Sequence, residues 1–216
     1  MATVTWTGSV STTYSTDGNW DTGSKPTSSD DVIIANVTND CVLTGSPTVN
    51  SWTVQSGARF NGNTENITVV GENGSGFAID IDGEVVGTTT NFTVETPATT
   101  DIDLAATSGS IRNLTINHAS CVAQMKSDVS LSGNLTITAG QLTTGTSGFG
   151  FSNLTVAGAT SITGTLTCNT STISLGSGKT DAFAVVVNGG GTFNGGSGTH
   201  TYGSLNVNSS ATLYAF

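Results

Sequence analysis

Apolar and polar residues alternate along most of this chain. In LSGNLTITAG, residues 131–140, Leu135 and Ile137 alternate with Thr136 and Thr138. Leu114 and Ile116 alternate with Thr115 and Asn117, and Leu154 and Val156 flank Thr155. A period of two places the apolar side chains on one face of a strand and the threonines on the other. No window carries apolar residues at i, i+3, i+4 and i+7, so strands are expected and helices are not.

The motif of Asn, a large apolar residue, Thr and then Val or Ile recurs at Asn66, Asn91, Asn113, Asn134 and Asn153. The leading apolar residues of this and related segments are Trp52, Ile67, Phe92, Leu114, Leu135, Leu154, Ile173 and Leu205. Their separations are 15, 25, 22, 21, 19, 19 and 32 residues. The middle five lie near about 20, within the range of solenoid repeats. Such a coil holds two or three short strands, and coils stack about 4.8 Å apart with their strands paired in parallel. The pattern therefore predicts an all-β fold: a single-stranded parallel β-helix (β-solenoid) of about seven coils, roughly 35 Å long. A β-sandwich or jelly roll is the alternative, because it too needs short alternating strands. The wide last gap holds VVVNGGGTFNGGSGTHTYGS, either an extra coil or a Gly-rich loop.

In the solenoid reading the Leu, Ile or Phe fills the interior and Thr builds an outward ladder from coil to coil. Asn takes the corner before the strand, where it tolerates left-handed geometry, bonds its own backbone and stacks on other Asn residues. The pattern also writes glycosylation sequons at Asn36, Asn66, Asn91, Asn113, Asn134, Asn153, Asn169 and Asn208. They are read as a by-product of corner chemistry.

Residues 1–50 differ, with Trp6, Tyr14, Trp20 and Pro26. A solenoid has to cover its first coil or expose strand edges. Residues 1–50 are read as an N-terminal cap or attachment segment, and 51–216 as the solenoid repeats. Within WTG…GNW…KPTSSDDVII, at about residues 4–34, the order Trp-x-Gly, Asn-Trp, Pro, Asp-x-Val-x-Ile resembles the opening segment of repetitive β-solenoid surface proteins. These include bacterial adhesin-like proteins and the capsid decoration (cement) and fibre proteins of tailed phages. The resemblance implies an externally displayed, non-enzymatic protein, in phages often a trimer, and it supplies no catalytic residues.

Charged residues are only 9% of the chain, and net charge is −10 with five Lys plus Arg. No basic patch can form, which excludes a phosphate-backbone partner and disfavours an anionic membrane surface. No apolar run approaches the ~20 residues of a membrane-spanning helix. Three distant cysteines, Cys41, Cys121 and Cys168, form neither a disulfide framework nor a metal motif. They are read as small buried hydrophobes. The start MATVTWTGSV is no secretory signal. With Met1 as the native start, synthesis in the cytoplasm is expected, yet the Thr/Gly/Asn surface suits an extracellular protein. A virion protein reconciles the two.

Candidate chemistry is sparse. Asp80 and Asp82 alternate with Ile81, and Asp101 and Asp103 with Ile102. The pairs lie about one coil apart, so they can sit side by side roughly 5 Å from each other. The acidic pairs are expected either to form a solvated stripe or to hold Ca²⁺, the only cofactor the sequence suggests. Two carboxylates also suit a glycosidase, but no Lys or Arg lies within either pair. His118 and His200 stand alone, and VVVNGGGTF lacks the Lys of a phosphate loop.

The leading expectation is a non-enzymatic virion protein on the particle surface, bound to the major capsid protein or other virion proteins as a homotrimer. Trp6, Trp20 and Phe216 are its candidate anchors. A carbohydrate-binding adhesin module that meets host-surface glycans is the alternative, and a polysaccharide-cleaving enzyme the third.

Overall fold

The computed structural model describes residues 1–146, 150–179 and 183–214. The chain winds as a β-solenoid of about eight turns, one more than the repeat spacing predicts. Its coil-to-coil ladders are parallel throughout. Among the described residues the only helix is the three-residue turn Asp17–Asn19. The sandwich alternative, which needs antiparallel neighbours, does not describe this chain.

Each coil visits three faces in a fixed order. Face one begins with Thr3–Trp6, Asp31–Ile34, Ser51–Val54, Phe77–Ile81 and Thr99–Asp103, and ends at Thr212–Tyr214. Face three holds Cys41–Val42, Arg59–Asn61 and Glu84–Val85, and farther along Leu154–Val156, Ile173–Leu175 and His200–Tyr202. Face two holds Asn66–Val69 and Thr90–Val94, and later Thr160–Ile162, Val185–Val187 and Leu205–Val207. The long strands Ile111–Met125 and Leu135–Thr143 turn the corner from face two to face one without a break.

Sequence register explains the core. On face two, Ile67, Phe92, Leu114 and Leu135 pair in succession, as their spacing predicts. The column continues through Thr160, Val185 and Leu205. Trp52 instead belongs to face one, between Val32 and Ile79, and Leu154 pairs with Ile173 on face three. The repeated motif thus feeds three columns rather than one, because every face imposes the same in-out alternation. Ile67, Phe92, Leu114, Leu135, Leu154 and Ile173 are all buried. At roughly 1.5–3 kcal/mol for each large aliphatic or aromatic side chain, these columns are the main source of cohesion.

The threonines form the outward rail. Thr48, Thr68, Thr93, Thr115, Thr136 and Ser161 stand in register on face two. The corner asparagines bond across coils more than along their own. Asn113 Nδ2 donates to Asn91 Oδ1 at 2.7 Å, and Asn113 Oδ1 accepts from the Asn134 amide at 2.7 Å. Asn134 Oδ1 accepts from the Ala159 amide, and Asn153 Oδ1 from the Thr172 amide. Left-handed backbone is found instead at Asn63 and Asn169. Gly140, at φ +76°, makes the tight corner opposite the longer His118–Cys121 bend, where a Cβ would run into the His118 carbonyl oxygen.

Regular stacking starts before residue 50. Thr3–Trp6 pairs with Asp31–Ile34, and that strand pairs with Ser51–Val54. The capping role falls to the segment between the first two strands. Asp21 N–H donates to the Thr5 carbonyl, and Thr5 N–H donates to Asp21 Oδ1. The outer edge of face three is covered in the same way, by Thr12 and Tyr14 on Val42.

Candidate functional site

Trp6 and Trp20 are 0% and 2% exposed, so neither ring is open to an external partner. They meet edge to face at 5.1 Å, and Trp20 meets Tyr14 the same way at 5.1 Å. Tyr14 stacks on Trp52, which packs on Phe60. Trp6 Nε1 donates to the Asn39 carbonyl and Trp20 Nε1 to the Tyr14 carbonyl. These large rings fill the interior of the first coils, each burying a large apolar area. As anchors on an outer surface, Trp6 and Trp20 are corrected to cap core. Phe216, the third candidate, lies outside the described residues.

A residue that the sequence reading missed organises this cap. Asn19 is buried, and its Oδ1 accepts from the Val10 and Ser11 amides. Its Nδ2 donates to the Thr13 carbonyl at 2.8 Å and to Ser11 Oγ. The only signal in sequence is its place beside Trp20 in GNW.

The four aspartates lie on face one with their strand neighbours Ile79, Ile81 and Ile102 turned inward. They do not form two side-by-side pairs. Ala78 and Ile79 are both buried, and the register shifts at this bulge. Asp103 therefore sits opposite Asp80, while Asp101 sits opposite Phe77. Burial first, then Asp82 and Asp103, push the Asp80 carboxyl above its ordinary range. Lys126, one coil on, reaches Asp101 at 2.9 Å. Ser127 Oγ donates to Asp103 Oδ1, which also accepts from the Ala105 amide. The absence of a cation within the acidic segments in sequence thus does not carry over to space. Among the described residues no group of three or more His, Cys, Asp or Glu side chains is placed to share a metal ion.

Two surface hollows lie away from these carboxylates. One, of about 300 Å³, is bounded by Tyr14, Lys25, Pro26, Ser46 and Pro47. The other, of about 420 Å³, follows the corner at Ala119, Cys121, Gly140, Gln141 and Gly164. His118 is half-buried at the neighbouring bend, where its Nδ1 accepts from the Ser120 amide, and His200 Nδ1 lies 2.9 Å from the Tyr202 hydroxyl. Cys41, Cys121 and Cys168 are buried and unpaired.

No protein-family model, curated protein or solved structure matches this chain.

Proposed function

We propose that the chain is a passive structural component of a tailed-phage particle, displayed on its surface as a capsid decoration protein or short fibre. The observation that carries this reading is the hydroxyl rail of face two, from Thr48 to Ser161, laid over a dry interior. Such a wall is neutral, stiff and well hydrated, which suits exposure outside a cell. The mechanism is mechanical: each coil is locked to the next by its ladder and its buried columns, so stiffness accumulates along the rod. The major capsid protein is the expected partner and a homotrimer the expected assembly.

Two observations favour this reading over its rivals. The buried rings of Trp6, Trp20 and Trp52 leave no tryptophan platform for sugars, which counts against a glycan-binding adhesin. Asp101 is engaged by Lys126 and Asp103 by Ser127, and neither hollow is lined by them. That counts against a polysaccharide-cleaving enzyme, which needs a free acid pair across a cleft.

The test is density-gradient fractionation of cells that produce the chain, followed by quantitative mass spectrometry. Co-sedimentation with DNA-filled particles at a fixed copy number per capsid is expected. Recovery with the cell envelope and none in particles would contradict the virion reading and turn attention to the adhesin.

A further inference from the structure

The cap and the loop that leads from face three to face two enclose the hollow of about 300 Å³. Tyr14, Ser15, Lys25 and Pro26 wall it on the cap side and residues 44–48 on the other. Tyr14 is 6% exposed, and its hydroxyl is buried without a hydrogen-bond partner. Buried polar atoms are nearly always paired, so an unpaired one calls for an explanation. Trp20 meets the Tyr14 ring edge to face and Trp52 stacks on it, so the hydroxyl is not free to turn out to solvent.

Charge singles out the same place. The chain carries −10 with only five Lys plus Arg, yet Lys25 borders this hollow and, among the described residues, no Asp or Glu does. Lys25 is exposed, and its amide is fixed on Asp17 Oδ1 at 3.0 Å. Among the described residues its ammonium belongs to none of the ion pairs. Glu65, outside the walls, accepts from Ser46 on the rim. Pro26 is buried and Pro47 half-buried, which gives the hollow apolar walls as well. The Ser15 and Thr44 hydroxyls meet at 3.1 Å. That contact uses one of their two protons and leaves the other to donate.

We infer that this hollow binds one sugar-acid unit, a hydroxylated ring that carries a single carboxylate. Lys25 selects the carboxylate by charge. The Ser15 and Thr44 hydroxyls exchange hydrogen bonds with the ring hydroxyls, and the two prolines cover its C–H face. Tyr14 donates to a ring oxygen and gains the partner it lacks. Ligand sites run from about 300 to 1,000 Å³, so a hollow at the low end admits one ring and not a chain. A polyanion is disfavoured, because the rest of this acidic chain repels it. Recognition here rests on charge and hydroxyls and needs no tryptophan platform. The inference stands independently of the phage reading.

The experiment is an amide NMR titration of the 216-residue chain with D-glucuronate, with D-glucose and acetate as controls. Saturating shifts are expected at the amides of Tyr14, Ser15, Lys25 and residues 44–48, with a Kd of about 1 mM. D-glucose lacks the carboxylate and acetate lacks the ring, so each is expected to bind at least about tenfold more weakly. Lys25→Gln is expected to weaken D-glucuronate binding roughly tenfold or more. Tyr14→Phe keeps the ring and is expected to weaken it roughly tenfold without lowering the melting temperature, because the hydroxyl has no partner to lose. Should Tyr14→Phe not fold, the exposed Lys25→Gln decides. No saturation by ~50 mM D-glucuronate, equal binding of either control, shifts centred elsewhere, or wild-type affinity in either variant overturns the inference.

Discussion

Asn113 links three coils through one side chain. Its Nδ2 donates to Asn91 Oδ1 on the coil before, and its Oδ1 accepts from the Asn134 amide on the coil after. The Asn of the repeated motif is therefore a vertical fastener at the corner, and the Thr that follows it is the outward rail. This accounts for the many sequons without any need for sugar attachment.

Asn113→Ala removes both bonds and leaves the Asn134 amide without its acceptor. Loss of about 1–3 kcal/mol is expected, read as a lower urea midpoint with unchanged slope. Thr115→Val, two residues on and facing outward, is expected to change stability by less than about 0.5 kcal/mol. Equal effects would mean that the corner bonds contribute nothing special.

Trp20→Ala opens the cap. Trp20 touches Trp6 and Tyr14 and donates its Nε1 proton to the Tyr14 carbonyl. Truncation of a buried aromatic costs about 3–5 kcal/mol. Near-ultraviolet circular dichroism should collapse along with stability. A stable variant that retains its aromatic signal would show that the ring is not cap core.

The pH response of Asp80 has a definite sign. Its folded-state pKa lies above the ordinary 3.8, chiefly through burial and then through Asp82 and Asp103. The folded chain therefore holds this proton more tightly than the unfolded one. The contribution of Asp80 to stability falls as pH rises through the window between the two pKa values, and stays low above it. Asp80→Asn is expected to stabilise the protein by about 0.5 kcal/mol at pH 7, the scale of one like-charge cross-strand pair. The gain should vanish below pH 3.8. Thermal melts of both proteins across this range check it. A gain independent of pH would contradict burial and like-charge repulsion as its source.

The three thiols should be silent in the native state. Burial pushes the Cys121 thiol up to about 11 and the Cys168 thiol up to about 12, and raises Cys41 well above its usual range. At pH 8 a thiol reagent should label them only as fast as the fold opens. Cys121, which borders the corner hollow, is expected to react first. Rapid labelling of all three in buffer would contradict their burial.

Much of this fold was legible because alternation and spacing are local properties. Ile67, Phe92, Leu114 and Leu135 do share one column, as their spacing implies. The assignment of Trp52, Leu154 and Ile173 to other faces was not legible. All three walls demand the same alternation, so only backbone register tells them apart. The acidic site was legible in part. Alternation placed the aspartates on one outer face, but the bulge at Ala78 offset the pairs. Lys126 joined Asp101 from the next coil, a contact that only stacking reveals. The burial of Trp6 and Trp20 follows from a cap geometry built around Asn19, which no periodicity encodes.

Spin-label distances along the outer rail of face two test the stacking most directly. Thr48 is labelled in every sample, and the second label is placed at Thr136, Ser161, Val186 or Asn206, positions four to seven rungs away along the register. A parallel solenoid predicts separations of about 19, 24, 29 and 34 Å, a rise of ~4.8 Å per coil. Separations that fail to rise in that order, with Asn206 no farther from Thr48 than Thr136 is, would contradict the stacked columns.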